Sequence, residues 1–312
     1  MSQVVKVAIG QFSSIHLDLE KSLLKLDEIM SGASSLGVKL LVVGETWLSG
    51  YPSWLDYGTN ISQWDAPAMK EAYLQFYHSS ISVKSKQFTW ICNRARALQI
   101  TLCLGINEKV ESGPGNGTVY NSFVIIDHEG NLLNHHRKLM PTYTEKMLYG
   151  MGDGHGLQAV ETQIGRVGGS ICWEHWMPLN RQALHDSGEH FHVALWPKVH
   201  ELHQVASRQY AFEGRCFVLA AGQILKASDF PKSLELPDDL RSNPDQLTLN
   251  GGSCIIGPDG KYIIEPVFDK EELIICDCQV DDAIKERMTL DTSGHYQRSD
   301  IFSFEIDKKR RG

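Results

Sequence analysis

The chain has 312 residues, 42% of them hydrophobic and 22% charged, with a formal net charge of −8. This is globular composition at a length that buries a sizeable core. The acidic balance argues against a general nucleic-acid surface, and no apolar run approaches the length needed to span a bilayer.

The N-terminal "MSQVVKVAIGQF" enters a strand pattern at once, without the basic, apolar and small-residue segments of a secretory leader. The seven cysteines (Cys92, Cys103, Cys172, Cys216, Cys254, Cys276 and Cys278) are odd in number and scattered. Free thiols in the cytoplasm are the expectation. The terminal "DKKRR" reads as a solvated chain end.

In chain order, residues 4–12 read as a strand. Residues 18–36 carry Leu19, Leu23, Leu26, Ile29 and Met30 at helical spacing, with Gly37 as a stop. "VKLLVVGE" (38–45) is a continuous apolar run, the mark of a strand buried on both faces. Helices are predicted over 67–78 and 84–98, and a buried strand over 100–108. "VYNSFVIIDHEGNLLNHHRKL" is a hairpin turning at 127–130. A strand over 165–172 leads to a helix near Pro178. The strand 191–197, the helix 204–215 and the strand "CFVLAAG" follow. "GGSCIIGPDGKYIIEP" forms a second hairpin, and "ELIICDCQV" is the last strand. Residues 226–246, rich in Pro, Asp and Ser, read as a surface loop or lid. Strands alternate with helices at both ends and hairpins interrupt them in the middle. This predicts an α/β protein with two mixed sheets packed face to face and helices outside, a four-layer α-β-β-α sandwich.

Three stretches look out of place as pure scaffold. "GETWLSGYPSW" ends a buried strand on the carboxylate Glu45. "HRKLMPTYTEKMLYGMGDG" puts Lys138 at a hairpin end, with Glu145 seven residues on. "GGSICWEHWMPL" sets Cys172 at a strand end among carboxylate, imidazole and indole. A buried structural cysteine needs no such company, whereas a reactive one needs a setting that favours the thiolate. Together the three stretches name a nucleophile, a base and a cation.

In these residues the sequence resembles the nitrilase superfamily of carbon–nitrogen hydrolases over nearly its whole length. The order Glu45, Lys138, Cys172 matches that family's triad. "CWEHWMPL", "RKLMPTYTEKMLYGMGDG", "YAFEGRCFV" and "DTSGHYQRSDIF" resemble its true nitrilase branch. Gln209 and Ser299 depart from the pattern, outside the triad. The resemblance implies a single domain over 1–312, with a short tail from about 292 and no cofactor or metal. It implies a small nitrile as substrate, hydrolysed to acid and ammonia, and a homodimer or larger homo-oligomer paired through helices near the nucleophile. Extended filaments are less expected than a dimer. Glu145 would be a fourth member, holding Lys138.

A nitrile carbon is weakly electrophilic, so thiolate is the suitable nucleophile. Glu45 would take the thiol proton and later activate water. Its burial should raise its pKa while Lys138 pulls it back. Lys138 and N–H groups near Cys172 and Trp173 would stabilise charge growing on nitrogen. Tyr51, Trp54, Trp173, Trp196 and Pro197 are candidate substrate-lining residues, suited to an aromatic or arylaliphatic nitrile. Three rival readings remain: an amidase or N-carbamoyl hydrolase using the same triad, a metal enzyme, and a non-catalytic scaffold that retains the fold, against which an intact buried triad argues. "HELH" (200–203) lacks the i, i+4 spacing of zinc peptidases.

Overall fold

A computed structural model describes residues 3–58 and 61–311. Its first sheet is built from β1 (Val4–Gln11), β2 (Leu40–Leu48), β3 (Thr101–Lys109), β4 (Val119–Ile126) and β5 (Leu132–Arg137). The second comprises β6 (Val160–Thr162), β7 (Gly165–Ile171), β8 (Phe191–Leu195), β9 (Phe217–Ala221), β10 (Ile224–Lys226), β11 (Leu247–Ile256) and β12 (Tyr262–Phe268). The last strand, β13 (Glu272–Gln279), returns to the first sheet beside β1. Both sheets are mixed. β1, β2 and β3 run parallel, as do β7, β8 and β9, and antiparallel strands flank each trio.

Burial follows from the apolar runs. β2, β4, β8 and β9 are buried along their whole lengths, as strands covered on both faces must be. One core cluster joins Val7, Val42 and Phe123 of the first sheet to Val167, Val193 and Leu219 of the second, so the sheets face one another. A second cluster packs Leu26, Met30 and Ile91 of the helices Leu19–Ser35 and Lys86–Leu98 on the outer face of the first sheet. The helices Pro178–Asp186 and Glu201–Gly214 lie outside the second. This is the expected layering.

Two expectations need correction. Residues 226–246 are not a free lid: Phe230, Leu234 and Leu240 are buried in a third cluster with Trp54 and Phe76. The basic end is docked rather than solvated. Arg310 pairs with Asp153 at 3.3 Å and donates to the His135 carbonyl, and the Arg311 N–H donates to Asp153 at 2.9 Å. Asp153 is buried, so an ionic partner lowers its desolvation cost. Among the described residues no helix is long and apolar enough to cross a membrane.

Candidate active site

Glu45 is set by an irregularity in β2. The register with β3 slips between Val43 and Leu48, and Thr46 adopts φ +48°. β3 tolerates the distortion only because residue 105 is glycine. A Cβ there would lie 2.2 Å from the Gly44 carbonyl oxygen and 2.5 Å from the Thr46 nitrogen. Gln223 Nε2 holds the Glu45 carbonyl at 2.7 Å.

Lys138 directly follows β5. Its N–H donates to the Asn121 carbonyl and its own carbonyl accepts from Gly152, each at 2.8 Å. Glu145 sits on the 3-10 turn Tyr143–Met147, where its Oε2 accepts the Thr142 N–H at 2.9 Å. Cys172 ends β7 and opens the 3-10 turn Cys172–Trp176 with φ +53°, a conformation a non-glycine residue holds only when its surroundings enforce it.

The carboxylate of Glu174 supplies part of that enforcement. Oε2 accepts the Ile171 N–H at 2.7 Å, Oε1 accepts the Leu139 N–H at 2.8 Å, and His136 Nε2 lies 2.9 Å from Oε1. The neighbour of the cysteine and the neighbour of the lysine are therefore fastened to one buried side chain. In the sequence Glu174 is only one member of a crowded motif. Its partners lie up to 38 residues away, so spacing carried no sign of this role.

The three segments bring their polar tips together. Lys138 Nζ stands 2.8 Å from Glu45 Oε1, and 2.9 and 2.8 Å from the two oxygens of Glu145. Asn121 Nδ2 also donates to Glu45 Oε1 at 2.7 Å, and Tyr51 OH donates to Glu145 Oε1 at 2.8 Å. Glu45 Oε2 is buried without a partner among the described residues. Burial pushes the Glu45 carboxyl up to about 7, with Lys138 pulling against it. Burial opposes the Lys138 ammonium, yet the surrounding acidic groups (Cys172 when ionised, Glu45 and Glu145) hold its pKa well above the usual value.

The cysteine departs from expectation. Burial and the charge of Glu45 raise the Cys172 thiol well above its ordinary pKa, against the pull of Lys138 and the Trp173 N–H. A resting thiolate is therefore disfavoured. The site instead pairs a thiol with a carboxylate poised to receive its proton.

Cys172 opens onto a cavity of roughly 150 Å³ walled by Tyr51, Tyr57, Trp173 and Pro197. That is the size of an engineered cavity that accepts benzene. Polar groups from Asp56, Thr142, Lys198 and Thr248 share the wall. Of the expected lining residues, Tyr51, Trp173 and Pro197 are there, but Trp54 and Trp196 are not. Trp54 is fully buried edge-on against Phe76, and Trp196 lies behind the wall, stacked on His175 at 4.6 Å. Aromatic proximity in sequence did not reveal which way each ring pointed. Larger surface hollows, such as that lined by Leu19, Glu71, His78 and Lys109, contain no comparable cluster. Among the described residues no group of three or more His, Cys, Asp or Glu is disposed to hold a metal ion.

Fold and site together define a hydrolase of carbon–nitrogen bonds, and the carbon–nitrogen hydrolase family profile matches residues 6–287. A carbon-nitrogen hydrolase from Helicobacter pylori superposes with a TM-score of 0.68 at 17% identity, covering 96% of this chain and 97% of the other. The chain belongs to the carbon–nitrogen hydrolase family. Within it, "Nitrilase 2" from an unknown prokaryotic organism is 34% identical over 98% of this chain and 94% of its own. A "Bifunctional nitrilase/nitrile hydratase NIT4B" from Lupinus angustifolius is 31% identical over 97% and 85%.

Proposed function

We propose that the protein is a nitrilase, converting a small nitrile to its carboxylic acid and ammonia. The observation that carries the reading is the buried Glu45–Lys138–Glu145 cluster, with one Glu45 oxygen unpartnered, behind a cysteine that opens onto a small cavity.

Glu45 accepts the Cys172 proton as sulfur adds to the nitrile carbon, and the C≡N bond becomes the C=N of a thioimidate. Lys138 and the Trp173 N–H stabilise the charge gathering on nitrogen, which takes the proton from Glu45 and leaves that carboxylate ionised for the next step. Glu145, held by Tyr51, keeps the ammonium in place. Water activated by Glu45 adds to the thioimidate carbon. The tetrahedral intermediate expels ammonia, leaving a thioester, and a second water releases the acid and restores the thiol. Expulsion of the thiol in place of ammonia would yield the amide. The cavity volume and the rings of Tyr51, Tyr57 and Trp173 support a single-ring aromatic or arylaliphatic nitrile.

A homodimer is part of this proposal. Leu179, Leu202, Val205 and Phe212 are exposed on the helices Pro178–Asp186 and Glu201–Gly214, next to Trp176. Such a surface is suited to covering by a second copy. A cytoplasmic setting accords with seven free cysteines.

The test measures ammonia and acid from benzonitrile, phenylacetonitrile and short aliphatic nitriles beside the matching amides. Nitrile turnover that vanishes in Cys172→Ala supports the reading. Turnover of the amides alone would replace it with an amidase.

A further inference from the structure

Behind the nucleophile runs a series of buried polar groups that the proposed reaction does not use. His175 Nδ1 lies 2.7 Å from the Cys172 carbonyl oxygen. His175 Nε2 lies 2.9 Å from His192 Nε2, and His192 Nδ1 lies 2.8 Å from Glu189 Oε1. Tyr210 OH stands 2.6 Å from Glu189 Oε2. All four side chains are buried, and they come from the 3-10 turn, β8, the segment before it and the helix Glu201–Gly214. The strand beneath is shaped to receive them, since a Cβ on Gly168 would meet Glu189 Oε1 at 2.1 Å.

The first contact fixes the direction of all the rest. A carbonyl only accepts, so His175 Nδ1 carries a hydrogen. A neutral His175 then has a bare Nε2, which accepts from His192 Nε2–H. Neutral His192 has a bare Nδ1, and the hydrogen in its contact with Glu189 must come from the carboxyl. Burial, reinforced by His192, lowers the His175 pKa to about 3, and burial raises that of Glu189 to about 7, so the neutral arrangement fits the surroundings.

We infer that His175, His192, Glu189 and Tyr210 form a one-way hydrogen-bond chain, holding a single shared proton at Glu189, that positions the Cys172 elbow through its carbonyl. These are positioning residues, and none need touch substrate. Removal of the shared proton reverses the chain. His192 must move its hydrogen to Nδ1 to face the carboxylate, and two bare Nε2 atoms then oppose one another. His175 relieves that conflict only by moving its own hydrogen to Nε2, which releases the Cys172 carbonyl. Other groups bear on the pair. His185 favours the charged form of Glu189, Cys216 lies close enough to sense its charge, and Arg287 Nη2 donates to its main-chain carbonyl at 3.0 Å. Glu174 acts on His192 from the elbow.

The inference rests on Cys172 as nucleophile, but its test does not depend on turnover. Nitrogen NMR of the full-length protein labelled at histidine reports each ring's tautomer. The expected result in mildly acidic buffer is hydrogen on Nδ1 of His175 and on Nε2 of His192, both changing together as pH rises through neutrality. Glu189→Gln, whose amide donates to His192 and accepts from Tyr210, should remove that change and keep the iodoacetamide alkylation rate of Cys172 within about threefold. Glu189→Leu should slow alkylation at least about tenfold, the equivalent of one lost hydrogen bond. Hydrogen on Nε2 of His175 in the resting protein would overturn the inference. So would a folded Glu189→Leu protein with the parent's alkylation rate. If Glu189→Leu does not fold, the spectrum of the unaltered protein decides. Failure of every nitrile in the panel would sink the nitrilase reading and leave the tautomer result standing.

Discussion

Lys138 Nζ and Glu45 Oε1 lie 2.8 Å apart, and the pairing leaves the carboxylate's other oxygen unclaimed. One half of Glu45 is thus anchored and the other half is free to exchange a proton. Glu45→Gln should retain the anchor and lose the exchange, with kcat falling on the order of 10²- to 10⁴-fold. Because burial raises the carboxyl to about 7 and it must be ionised to act, kcat/KM should rise with pH through neutrality in Glu189→Gln, where the histidine chain no longer titrates over the same range. A pH–rate series on both proteins checks the pair of statements.

Lys138→Met should destabilise the protein, because two buried carboxylates would share one site without a cation. Without the pull of the ammonium the Glu45 carboxyl, already raised by burial to about 7, rises further above its unfolded value. The folded form is favoured while that carboxyl holds its proton and weakened as pH climbs through the raised pKa. Denaturant melts should show a loss of about 3–5 kcal/mol at pH 8 and a smaller one at pH 5. An equal loss at both pH values would contradict this account.

Gly105→Ala tests how Glu45 is aimed. The added methyl meets main chain, not a flexible side-chain end, so β2 must move. Activity should drop at least about tenfold even if the strand shift leaves the melting temperature within a few degrees, since a small misplacement of reacting groups is costly. Full activity in the variant would show that the close approach is unimportant.

His16 is half-buried, with both ring nitrogens inside and without a hydrogen-bond partner among the described residues, and burial lowers its pKa to about 4. A depressed histidine stabilises the fold fully above its unfolded pKa near 6.5, and that contribution is lost as pH falls towards 4. The residue is partly exposed, so the contribution is no more than about 1–2 kcal/mol. His16→Leu should flatten the acid limb of a stability-versus-pH curve, which calorimetry between pH 4 and 7 would reveal.

Leu202→Glu with Val205→Glu charges the exposed face of the helix Glu201–Gly214. If this face joins two copies, light scattering should show the parent as an oligomer and the double variant as a monomer. An unchanged mass would move the interface elsewhere.

Much of this architecture was legible in the chain. Continuous apolar runs marked the buried strands, and the helix over 18–36 differs from Leu19–Ser35 only by its flanking caps. Glu45, Lys138 and Cys172 stood out as polar groups at the ends of apolar runs. What stayed hidden depends on distant partners. Glu174 and Glu189 look like surface charges until the fold wraps apolar layers around them. Gly105 looks like any strand glycine until β2 presses on it. Lys198 and Thr248 reach the cavity from segments that carry no motif, and the orientation of Trp54 and Trp196 is set by packing against Phe76 and His175.

The docking of the basic tail has one more consequence. β5 is the last strand of its sheet, and its outer rim would otherwise present unpaired main-chain groups. Arg310 occupies the His135 carbonyl on that rim, and Asn134 crosses to the Gly156 carbonyl at 3.0 Å. The last arginines therefore shield a sticky border from strand-to-strand recruitment by neighbouring molecules. Shortening the chain before Asp307 should make it prone to clumping on storage, quite apart from any effect on turnover.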